Sequence, residues 1–124
     1  MTTFATRALR TGIFIIAAAG ASSAFAHAHL KAQQPAADSE VTASPQVLTL
    51  NFSEGVEEKF SDVTLSGPGD APAATGPAAR SPDDISQLVV PVKQSLEPGT
   101  YTVQWHVVSV DGHKTKGQYR FRVK

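Results

Sequence analysis

The sequence contains no cysteine. Disulfide staples and thiolate metal sites are therefore both excluded. Methionine is nearly as scarce, the single one being Met1. Neither charge is in surplus, with 11 basic and 11 acidic residues, and no basic stripe argues for nucleic acid. No apolar run reaches the roughly 20 residues that a membrane-crossing helix needs. Helical periodicity of any length is also missing. Aromatic residues make up 7% of the chain, with one tryptophan, Trp105, so the core must be mostly aliphatic.

What is present begins with an address. Arg7 and Arg10 are followed by the apolar stretch Gly12 to Gly20 and then by Ala24-Phe25-Ala26. A positive end, a short apolar core and a small-x-small box form the pattern of a Sec-type signal peptide. Residues 1–26 are therefore expected to be removed on export, and residues 27–124 to form one domain. An uncleaved membrane anchor is the alternative, and the short apolar core speaks against it. Cleavage after Ala26 leaves 98 of the 124 residues, begins the chain at His27 and removes Met1. The processed chain has no sulfur donor of any kind. It keeps all 11 acidic and 9 of the 11 basic residues, for a net charge of −2 with histidine neutral. A chain of this size buries about two thirds of its unfolded surface, enough for one modest core.

Period-two alternation supplies the structural signal. Gln46 to Phe52 sets Leu48, Leu50 and Phe52 on one face; Phe60 to Ser66 alternates through Val63 and Leu65. Ile85 to Val92 is rich in Leu and Val, Tyr101 to Val110 alternates through Val103, Trp105 and Val107, and Gln118 to Val123 through Tyr119 and Phe121. The segment carrying Leu30 suits a first edge strand. Gly67 to Ala79 is rich in Pro, Gly and Ala and reads as a long mobile loop, closed by Ser81-Pro82-Asp83-Asp84. About seven short strands with turns between them predict an all-β, immunoglobulin-like Greek-key sandwich or barrel. Leu96-x-Pro98-Gly99-x-Tyr101-x-Val103-x-Trp105 matches a tyrosine corner, in which the Tyr hydroxyl bonds back across the turn and Trp105 belongs to the core.

Four histidines are to be weighed as ligands: His27, His29, His106 and His113. Cleavage makes His27 residue one. Its free α-amine, with an ordinary pKa near 8, and its own imidazole can then close a chelate ring. Alone, a terminal histidine is as readily an accident of the cleavage box. Asp111-Gly112-His113 is a hairpin-turn signal, and on an extended backbone its Asp and His point the same way. With His27 they offer three nitrogens and one oxygen, a square-planar set suited to copper(II). His106 lies inside a strand, on the face opposite Trp105, and reads as structural or surface-exposed. His29 and Glu54 can reach the same rim and are secondary candidates.

Four segments together resemble the CopC family of periplasmic copper-binding proteins, and within it the short enterobacterial YobA-type members. They are His27-Ala28-His29-Leu30, Leu50-Asn51-Phe52-Ser53-Glu54, Pro98-Gly99-x-Tyr101-x-Val103-x-Trp105, and Val108-Ser109-x-Asp111-Gly112-His113-x-x-x-Gly117. The resemblance implies a β-sandwich or barrel with one copper(II) ion at one end, bound by His27, Asp111 and His113, with Glu54 nearby. It implies a periplasmic role in copper homeostasis or resistance and a CopD-like inner-membrane copper protein as partner. Several members also carry a methionine-rich loop for copper(I). That loop is missing here, so no copper(I) site is expected. Two other functions are weighed against a copper carrier. A copper monooxygenase would share the N-terminal histidine, but a carboxylate would take a position needed for oxygen. A metal-free interaction module would be indifferent to His27.

Overall fold

A computed structural model describes residues 28–124; the expected signal peptide and His27 lie outside the described residues. Nine strands follow one another as β1 (Leu30–Gln34), β2 (Glu40–Val41), β3 (Val47–Phe52), β4 (Asp62–Ser66), β5 (Pro72–Ala73), β6 (Ala79–Ser81), β7 (Asp84–Pro91), β8 (Gly99–Val108) and β9 (Lys114–Val123). They form two sheets, ordered β1-β3-β7-β6 and β2-β9-β8-β4-β5. The predicted β-sandwich is thus the observed fold. Pairing is antiparallel except where β2 runs parallel to β9.

The alternation read from the sequence is the alternation of burial. Leu48, Leu50 and Phe52 of β3, Leu88 and Val90 of β7, Val63 and Leu65 of β4, Tyr101, Val103 and Val107 of β8, and Tyr119, Phe121 and Val123 of β9 all enter the common interior. Each large apolar side chain fully buried there contributes about 1.5–3 kcal/mol. This interior does the stabilising that small cysteine-rich domains leave to disulfides.

Strand β9 is longer than the pattern suggested, beginning at Lys114 rather than Gln118. The inward positions before Tyr119 are Gly117 and Thr115, too small or polar to register as a hydrophobic alternation. Gly117 has a packing reason. A Cβ there would lie 2.6 Å from Cζ2 of Trp105, so the indole covers the space a side chain would need. Trp105 is only half-buried, a correction to its expected place in the core. It meets the Phe52 ring edge-on, with centroids 5.2 Å apart at 71°.

The segment Gly67–Ala79 is not the free loop expected. β5 pairs with β4 and β6 with β7. Between them Gly76 N–H donates to Pro91 O at 2.9 Å and Lys93 N–H to Ala74 O at 2.8 Å. The physical reason lies in the sheet edges: β4 and β7 would otherwise present unpaired backbone groups, which this segment satisfies. Phe60 also departs from its expected strand. It ends a short 3-10 turn, Glu58–Phe60, and is 66% exposed. The tyrosine corner is present, with the Tyr101 hydroxyl donating to Glu97 O at 2.8 Å. The other buried phenol, Tyr119, has no hydrogen-bond partner among the described residues, and burial raises its pKa far above the ordinary value.

Candidate metal centre

The far end of β8 is clamped before it turns. Ser109 forms an antiparallel bridge with Val56. Glu57 N–H donates to Val108 O at 2.8 Å, and Val110 N–H to Gly55 O at 2.9 Å. The chain then reverses through Ser109–His113. Gly112 N–H donates to Ser109 O and Ser109 N–H to His113 O, both at 2.8 Å. Gly112 takes φ 92°, which L side chains rarely adopt, and the Asp-Gly signal in the sequence reflects that need.

This turn brings Asp111 and His113 together, with Oδ1 of the carboxylate 3.1 Å from Nδ1 of the imidazole. Extended alternation was the expected cause of their juxtaposition; the observed cause is the reversal itself. Their side chains are 38% and 48% exposed, so both reach solvent. Beneath them sits Ser109, which is fully buried. Its hydroxyl donates to Asp111 Oδ1 and accepts from His113 N–H at 3.2 Å. The hydroxyl, and after it His113, hold the Asp111 carboxyl below the usual carboxylate range. Ser109 is not among the candidate ligands that residue type and spacing single out. Its signal was the run Ser109-x-Asp111-x-His113, in which a serine opening a turn can bond to the residues that follow it.

The first described residues are fixed at the same end. Thr115, two positions after His113, donates its hydroxyl to Ala28 O at 2.9 Å, and Ala28 is buried. His29 N–H donates to Ser53 Oγ and Ser53 N–H to His29 O, both at 2.8 Å. Glu54 follows Ser53 on the segment that Val110 grips through Gly55. Among the described residues no three His, Asp or Glu side chains gather to hold a metal ion, so neither His29 nor Glu54 completes a set with Asp111 and His113. The described residues bring together two of the three expected ligands, the His113 imidazole and the Asp111 carboxylate. The third expected ligand, His27, lies outside them.

His106 stands apart. It is exposed on β8, in register with Asp62 on one side and Lys116 on the other. It borders a surface hollow of about 780 Å³ with Phe60, Val108 and Lys114, in which no carboxylate takes part. No helix among the described residues is long and apolar enough to cross a membrane.

Known proteins share this architecture and sequence. Residues 30–124 match the family model of the CopC domain. Protein YobA of Escherichia coli K12 is 61% identical over 102 residues, covering 82% of each chain. The crystal structure of PcoC, a methionine-rich copper resistance protein from Escherichia coli, superposes with a TM-score of 0.72 at 39% identity, covering 79% of this chain and 99% of that one. CopC from Methylosinus trichosporium OB3b superposes with a TM-score of 0.74 at 31% identity, covering 79% of this chain and 94% of that one. By its domain, its sequence and its fold, the chain belongs to the CopC family.

Proposed function

We propose that the processed protein binds one copper(II) ion through the α-amine and imidazole of His27, a carboxylate oxygen of Asp111 and an imidazole nitrogen of His113. The observation that carries this reading is the Asp111–His113 contact at 3.1 Å, beside an N-terminal segment anchored through Ala28 to Thr115. In the sequence, residue 27 directly precedes that anchor. Cleavage after Ala26 is part of the proposal, because only a free amine completes the set.

The identity of the metal rests on donor chemistry together with the relatives. A nitrogen-rich set with one oxygen favours copper(II), which heads the affinity order of the divalent ions. PcoC is described as both methionine rich and a copper resistance protein. This chain shares its fold, but the one methionine is Met1, inside the expected signal peptide. We therefore assign it copper(II) alone and no copper(I) site. Glu54 and His29 flank the centre and serve at most as additional donors.

The protein is not an enzyme; its family is one of copper resistance proteins. We place it in the periplasm, where it sequesters copper(II) or hands it to a CopD-like inner-membrane protein. Material recovered from the periplasm should have the mass of residues 27–124 and should saturate at one equivalent of copper(II) without retaining copper(I). Retention of residues 1–26, or saturation at any other stoichiometry, would overturn the reading.

A further inference from the structure

Ser109 is the sole polar residue that the described fold buries completely, and it lies directly under the two exposed donors. Its backbone N–H and C=O are bonded within the turn, to His113 O and Gly112 N–H, but the turn is not its only hold. The bridge to Val56, and the hydrogen bonds that flank it from Glu57 N–H and Val110 N–H, tie it to the neighbouring segment of the sandwich. A serine hydroxyl has one proton to give. Its two acceptors are His113 O, 3.3 Å away, and Asp111 Oδ1; the ionised carboxylate is the stronger acceptor and takes that proton. The carboxylate's other contacts fall on the same oxygen: His113 Nδ1 at 3.1 Å and His113 N–H at 3.4 Å. Among the described residues every hydrogen bond and ion-pair contact of Asp111 is thus made through Oδ1.

We propose that Ser109 is the positioning residue of this centre: its buried hydroxyl anchors Oδ1 of Asp111, and Oδ2 is the oxygen presented to the metal. The inference rests on the reading of Asp111 and His113 as ligands. A hydroxyl fixed by the sheet transmits the rigidity of the sandwich to a carboxylate on an exposed turn. Without it, Asp111 would have to be ordered when the metal arrives, and the affinity would fall. Loss of such an outer partner lowers metal affinity by about 10- to 100-fold.

The test is a double-mutant cycle on the processed protein, with copper(II) affinity measured by competition titration and the EPR spectrum recorded for each form. Ser109→Ala leaves the backbone hydrogen bonds of residue 109 in place and removes only the hydroxyl. Circular dichroism checks that each variant keeps the wild-type fold. We expect Ser109→Ala to weaken copper(II) binding about 10- to 100-fold and to shift the EPR parameters in the wild-type background. In the Asp111→Ala background it should change affinity by less than about twofold, because the group it acts through is gone. Equal weakening in both backgrounds would show a general structural role and overturn the proposal. No weakening by Ser109→Ala, with strong weakening by Asp111→Ala, would overturn it while leaving the metal centre standing. No effect of Asp111→Ala would overturn the centre itself, and the proposal with it.

Discussion

Strand β8 ends in two turns, and each has a hydroxyl buried beneath it. At the Gly99 end the Tyr101 hydroxyl bonds to a backbone carbonyl, that of Glu97. At the Ser109 end the hydroxyl bonds to a carboxylate that is itself partly in solvent. The first bond closes on the main chain and leaves nothing facing outward. The second ends on a carboxylate whose other oxygen, in the proposed centre, faces the metal. On the proposed reading, turns of similar make-up serve different ends: one locks the sandwich, and the other supports a metal-binding group on it. Changes at the first should move stability and spare metal binding; changes at the second should do the reverse.

The largest effect is expected at the Ser109 end. His113→Ala should lower copper(II) affinity by more than the roughly 100-fold that losing an outer partner costs, since a ligand itself is removed. The thermal midpoint of the metal-free protein should barely move, because surface substitutions stay within about 0.5 kcal/mol. His106→Ala, measured alongside, should leave the affinity unchanged; equal losses from the two variants would place the metal elsewhere. At the other end, Tyr101→Phe should cost about 1 kcal/mol. That corresponds to a fall of roughly 4–8 °C in the melting temperature of a domain this small. Copper titration of the same variant should match wild type.

The smallest effect has the opposite sign. The Tyr119 hydroxyl is buried without a partner among the described residues, so Tyr119→Phe should raise stability by up to about 1 kcal/mol. Burial raises the folded-state pKa of this phenol above its unfolded value near 10. Its favourable state is therefore complete below about pH 10 and is lost as pH rises further, when the unfolded chain ionises first. Denaturant titrations of both proteins at neutral pH and above pH 10 should show the gap between them widening in alkali. A constant gap would mean that the phenol ionises as readily in the folded state as in the unfolded one, and would contradict its burial.

The strands with strong alternation were legible in the sequence because one face of each is apolar and packs inward. The tyrosine corner was legible because Pro98-Gly99-x-Tyr101 carries its turn chemistry locally. The two-residue strands β2 and β5 were not, since nothing in Glu40–Val41 or Pro72–Ala73 alternates; their pairing is dictated by the edges they cover. Asp111 and His113 were found by residue type and spacing, and the reversal at Gly112 explains why they meet. Ser109 was hidden for a different reason. A buried serine has no pattern of its own, and its part emerges only when its hydroxyl is seen against Asp111.

In the proposed centre the terminal histidine ties metal binding to export, and EPR of the copper(II) form tests that tie most directly. Protein beginning at His27 should give the signature of three nitrogens and one oxygen in a tetragonal field. The same protein with one residue added before His27 should lose the amine nitrogen, change its spectrum and bind far more weakly. Identical spectra and affinities for the two forms would contradict the proposed centre.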